Sequence, residues 1–121
     1  IFLLQALEFT FASPYVPLAS ELRAYAARSF PPGRPALEGA RELTTRIFRD
    51  FKYEPGATSL ATGVLRAFQM RRGVCQDFAH IQIACLRTLG LPTRYVSGYL
   101  LTRPPEGKER LVGADASHAW L

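Results

Sequence analysis

Between Ala36 and Phe51, apolar residues recur at three- and four-residue steps. Leu37, Ala40, Leu43, Ile47 and Phe51 fall on one face, with charged side chains between them. That spacing predicts an amphipathic helix. Upstream, "TFASPYVPLAS" carries two prolines and reads as extended or irregular. "ELRAYAARSF" predicts a short helix with Ser20 as its N-cap, and "PPGRP" then breaks the chain. After the long helix, "YEPGAT" reads as a turn in which Pro55-Gly56 stops one helix and Thr58 caps the next. That next helix carries a narrow apolar stripe of Leu60, Val64 and Phe68, and Gly73 is expected to end it.

A further helix is predicted from Cys75 to Leu89. Cys75, Phe78, Gln82, Cys85 and Leu89 share a face, and Ile81, Ala84 and Leu86 widen the apolar surface, so this helix is expected to be mostly buried. Gly90 and Pro92 close it. The period then changes. "TRYVSGYLLT" is rich in Tyr, Val, Leu and Thr and predicts a strand, with Gly98 as a bulge or a point of close approach. "RPPEGKER" reads as a turn, and "LVGADASHAWL" as a second strand or strand pair antiparallel to the first. Helices followed by an antiparallel sheet define an α+β fold. A sheet rarely ends on one or two partly formed strands, so this one is expected to be cut short at Leu121.

With 121 residues the chain suits one domain, residues 1–121, with residues 1–30 as a lead-in. Hydrophobic residues make up 48% and charged residues 21%, an ordinary globular balance. No apolar run approaches a membrane span, and the opening "IFLLQALEF" meets Glu8 early and lacks a basic flank. The formal charge is +5 and the pI about 9.7, but the arginines are scattered and Arg71-Arg72 is the only adjacent basic pair. Neither nucleic acid nor a membrane is expected as a partner. Two cysteines and no secretory signal fit a reducing, cytoplasmic setting. On one helix Cys75 and Cys85 would lie about 280° apart and could not bond to each other. Two Cys and two His at these spacings give no zinc motif.

The chemistry concentrates in two short stretches, "RRGVCQDFAH" and "DASHAWL". A thiol becomes a strong nucleophile as thiolate, and three features favour that form at Cys75. The helix start offers free N–H groups and partial positive charge. A histidine brought close by a returning strand, His118, can take the proton. Gly73 lets the backbone turn sharply into the helix and leave the sulfur accessible. The same N–H groups can serve a tetrahedral oxyanion. Against this stands the commoner fate of a lone cysteine, inert packing. Cys85, mid-helix on an apolar face, reads as core. His80, five residues after Cys75, points well away from it. Asp77 suits the helix dipole or an orienting role, and Gln76 offers its backbone N–H near the oxyanion. Tyr95 and Tyr99 are expected to pack on the sheet, and Tyr53 is a candidate to line a cleft.

"FKYEPGAT", "RRGVCQDFAHIQIACLRTLGLPTRYVSGYL" and "ADASHAWL" resemble, in that order, the bacterial transglutaminase-like proteins, from about Phe30 to Leu121. The resemblance implies a papain-like core with a Cys-His-Asp triad. It assigns Cys75 as nucleophile and His118 as general base and acid, and puts the triad aspartate on a strand past Leu121. Asp115, upstream of His118, is expected at most to support, together with Gln76 and Asp77. The implied activity is acyl transfer at a protein or peptide amide through a thioester. Water as acceptor makes a cysteine protease or amidase, and an amine makes a transglutaminase. That chemistry needs no cofactor, and the chain has no acidic loop with calcium-ligand spacing. The alternative is a non-catalytic transglutaminase-like scaffold. An unpaired sheet edge also invites homo-oligomerisation.

Overall fold

The computed structural model describes residues 2–100, 106–108 and 117–121. Its elements run α1 (Phe2–Leu7), a 3-10 turn (Glu8–Thr10), α2 (Ser20–Ala27), α3 (Ala36–Asp50), β1 (Lys52–Tyr53), α4 (Val64–Met70), β2 (Arg72–Gly73), α5 (Cys75–Thr88), β3 (Val96–Tyr99) and β4 (Ser117–Trp120). Helix α5 is the centre, packed by α2, α3, α4 and β4. This is the expected α+β arrangement. No described helix is long and apolar enough to cross a membrane.

Much of the core lies where the periodicity placed it, but Leu37, expected on the apolar face of α3, is 63% exposed in its first turn. Leu43, Ile47 and Phe51 are buried along one face of α3, and Ile81 to Leu86 form a continuous buried stretch of α5. From the lead-in, α2 contributes Leu22, Tyr25 and Ala26. Tyr25, Phe51 and Phe68 meet with ring centroids 5.5 to 6.0 Å apart, separations at which edge-to-face pairs add to simple burial. Gly39 has a packing reason. The ring of Phe30 lies so close to α3 that a β-carbon there would clash with it.

Among the described residues one charge sits inside. Arg46 shares the buried face of α3 and is only 5% exposed. It donates to the Tyr25 carbonyl and the Ser29 hydroxyl, each at 2.8 Å, with its guanidinium 4.2 Å above the Tyr25 ring. The Tyr25 carbonyl belongs to the last turn of α2, where carbonyls lack intrahelical partners and the dipole favours a cation. Arg46 therefore caps α2 from inside. Arg71 adds a second guanidinium, 4.1 Å over Phe68 and 4.9 Å over Phe51.

Several local expectations are corrected. Ser20 is the first residue of α2, which Ala19 precedes, and no side chain caps it. Leu60 is 89% exposed, and α4 starts only at Val64. The cause is local: the Thr62 hydroxyl accepts from the Ser59 N–H at 3.0 Å, and the Ser59 hydroxyl accepts from the Ala61 N–H at 3.2 Å. Such bonds hold Ser and Thr stretches in turns and compete with the helix. Thr58 does not cap α4 either; its hydroxyl is engaged elsewhere. Helix α4 closes on Arg71, which adopts a left-handed conformation (φ 56°), rather than on Gly73. Tyr99 lies on the outer face of its strand and is exposed.

The far end of α5 follows expectation. Gly90 takes φ 78°, its N–H reaches the Arg87 carbonyl at 2.9 Å, and the Leu91 N–H reaches that of Leu86 at 3.1 Å. These are the paired bonds of a Schellman motif, which needs a residue tolerant of positive φ at that point. Strands β3 and β4 pair antiparallel, with Gly98 opposite His118 and Val96 opposite Trp120. Strands β1 and β2, which sequence pattern does not announce, form a two-residue parallel pair.

Candidate active site

The backbone entering α5 is held by the β1 segment and by Asp77. The Lys52 N–H bonds the Arg71 carbonyl at 2.8 Å and the Glu54 N–H bonds that of Gly73 at 2.9 Å. Asp77 Oδ2 accepts from the Val74 N–H at 2.9 Å and from the Thr58 hydroxyl at 2.6 Å. This is half of a capping box, since valine has no side-chain acceptor or donor to return the bond. Gly73 is the enabling residue: a β-carbon there would sit 2.6 Å from Asp77 Oδ2. The glycine thus serves close approach, and Asp77 serves both the helix end and the loop carrying Thr58.

Cys75 follows as the first residue of α5, half-buried and unpaired. It opens into a cavity of about 530 Å³. Phe78, Ala79 and Gln82 of α5 form one wall, Ile47 and Phe51 another, and Ala119 to Leu121 a third; Tyr53 lines it as expected. None of the described lining residues is charged. Gln82 is fixed there, its amide donating to the Thr44 hydroxyl at 2.7 Å and the Ala40 carbonyl at 3.3 Å.

His118 lies in β4, half-buried, and β4 packs against α5. The next two residues of the strand, Ala119 and Trp120, line the cavity with Cys75, whereas His118 is not among its lining residues. Gln76 is exposed and lines not that cavity but two smaller depressions that it shares with Tyr15 and His80. Asp115 lies outside the described residues. His80 is sandwiched between Tyr15 (5.6 Å, 14°) and Tyr95 (4.8 Å, 20°). Burial lowers its imidazole pKa, with the Asp77 carboxylate acting weakly in the opposite direction. Tyr95 has its phenol raised, first by burial and then by the charge of Cys75. Cys85 is fully enclosed, and burial pushes its thiol up to about 12.

Thr58, Gln82 and Trp120 belong to this region, and sequence reasoning did not assign them to it. Thr58 was legible only as a helix cap, Gln82 as a member of the helix face, and Trp120 as a strand residue; no spacing rule links them to Cys75.

Comparison with known proteins gives this arrangement a family. A model of the transglutaminase-like superfamily matches residues 23–121. An uncharacterised protein of Mycobacterium tuberculosis is 51% identical over 115 residues, covering 95% of this chain and 37% of that protein. One of Mycobacterium leprae is 37% identical over 98 residues, covering 78% and 32%. The crystal structure of a proposed cysteine protease from Cytophaga hutchinsonii superposes with a TM-score of 0.78 at 28% identity, covering 96% of this chain and 37% of that one. The chain belongs to the transglutaminase-like superfamily, a family of cysteine-dependent enzymes. It spans about a third of the length of the relatives it matches.

Proposed function

We propose that this domain carries out acyl transfer at a peptide or protein amide, with Cys75 as nucleophile and His118 as general base and acid. The observation that carries the reading is the half-buried Cys75 thiol at the first residue of α5, facing a cavity that residues of the histidine strand also line. The Cys75 sulfur attacks the amide carbonyl carbon and a C–S bond forms. The C–N bond then breaks and His118 passes its proton to the departing amine. Water or a second amine resolves the thioester and returns the thiolate. Asp77 occupies the Val74 N–H. The N–H groups of Cys75 and Gln76, in the first turn, have no intrahelical acceptor and suit the developing oxyanion. The likeness to a proposed cysteine protease favours water as the acceptor.

The test is the pH dependence of Cys75 alkylation by iodoacetamide in the full-length protein, read by mass spectrometry, beside a His118→Ala variant. Cys75 is expected to react well below the free-thiol pKa of about 8.5, and the variant to lose that advantage. Identical profiles in both proteins would favour a transglutaminase-like scaffold without catalysis.

A further inference from the structure

We infer that the cleft beside Cys75 receives one uncharged aromatic or branched aliphatic side chain of the acyl donor, and that Trp120, seated on Gly98, sets its outer wall. The inference rests on the acyl-transfer reading and supplies its substrate class. The cavity, about 530 Å³, falls within the range of ordinary ligand pockets, about 300–1,000 Å³. Its walls are Ile47, Phe51, Phe78 and Trp120, and no described lining residue carries a charge. A charged side chain entering it would shed water and gain no ionic partner among the described residues. Gln82, the polar group on the α5 wall, already spends its amide on Thr44 and Ala40 and keeps only its carbonyl free to accept. An apolar occupant suffers no such loss, and it would hold the neighbouring carbonyl beside the thiol.

The outer wall has a specific cause. Trp120 pairs with Val96, one step diagonal from Gly98, and its indole lies across that glycine. A β-carbon at Gly98 would stand 2.9 Å from Trp120 Cη2. Gly98 is the close-approach point that the strand pattern raised. A larger residue there must displace the indole and change the pocket, while Cys75 keeps its place on α5. Trp120 is therefore a specificity-determining residue, and Gly98 the position that seats it.

The test uses three haloacetamides on the full-length protein: iodoacetamide, N-phenethyl-iodoacetamide and an N-carboxyethyl analogue. Modification of Cys75 is followed by intact mass. The phenethyl reagent is expected to saturate and to react at least about tenfold faster than iodoacetamide, while the anionic analogue gains nothing. Trp120→Ala is expected to bring the phenethyl preference, read as the ratio of the phenethyl to the iodoacetamide rate in the same protein, to within about twofold. Gly98→Ala, which keeps the indole but moves it, is expected to weaken the same preference. Equal rates for the small and aromatic reagents in the unmodified protein overturn the inference, as does a preference that survives both substitutions. A Trp120-dependent preference combined with an iodoacetamide pH profile indifferent to His118→Ala would uphold the pocket and overturn the acyl-transfer mechanism instead.

Discussion

Cys75 opens α5 and is half-buried at an apolar cavity, whereas Cys85, ten residues along the same helix, is enclosed on every side. The difference is one of position rather than residue type. At the first turn a helix has spare N–H groups and open space beside it. In the middle, every backbone group is bonded within the helix and the side chain meets its packed neighbours. Desolvation then favours the neutral thiol at Cys85, despite the field of Arg46 and Arg71, which acts in the opposite direction. Reactivity in this helix is thus decided by where along it a cysteine falls.

The largest predicted effect follows directly. With its thiol raised from 9.0 to about 12, Cys85 holds roughly a thousandfold less thiolate at neutral pH than an ordinary cysteine. Of these two cysteines, native protein treated with iodoacetamide should carry the label at Cys75 alone, and unfolding in guanidinium should expose Cys85. Labelling of both sites at similar rates in the native state would erase the contrast.

Gly73→Ala attacks the scaffold of the reactive end. Its β-carbon would press on Asp77 and strain both the Val74 and Thr58 hydrogen bonds. A loss of about 1–3 kcal/mol in denaturant stability is expected. Cys75 should also lose its regular seat, so its alkylation rate should change while Cys85 stays protected until global unfolding. Unchanged stability would show that the close approach of Gly73 and Asp77 is dispensable.

The smallest effect concerns pH. His80, between two tyrosine rings, has its pKa lowered from 6.5 by burial. The unfolded chain therefore takes up this proton first as the pH falls. The contribution of neutral His80 is complete above about 6.5 and is lost progressively below it. Denaturation at pH 7.5 and 5.5 should show a steeper decline for the native protein than for His80→Gln. Parallel declines would assign the acid sensitivity to other groups.

Much of this was legible beforehand. The 3.6-residue period located α3 and α5, Gly90 marked the close of α5, and the position of Cys75 at a helix start fell out of the glycine that precedes it. What escaped depends on contacts distant in sequence. Two-residue strands such as β1 and β2 carry no periodicity. Thr58 read as a cap, because nothing local reveals a partner nineteen residues on. Arg46 passed unremarked among the charges between the apolar positions of α3, because its partners lie on α2, and only tertiary packing brings the α2 carboxyl end over it. In the site, Cys75 and its helix were readable from chemistry and spacing. The apolar cavity was not, since its walls come from α3, α5 and β4 together.

The short β1–β2 pair has a consequence for how the molecule breathes. A single amide, that of Glu54, donates across to Gly73 immediately before the reactive turn. Its bond can persist only while the ends of α3 and α4 stay in register, and Tyr53, its neighbour in the chain, stands in the cavity wall. The hydrogen-exchange rate at this one position therefore reports the local opening that would unseat Cys75, separately from the slower exchange of the buried middle of α5 that tracks global unfolding.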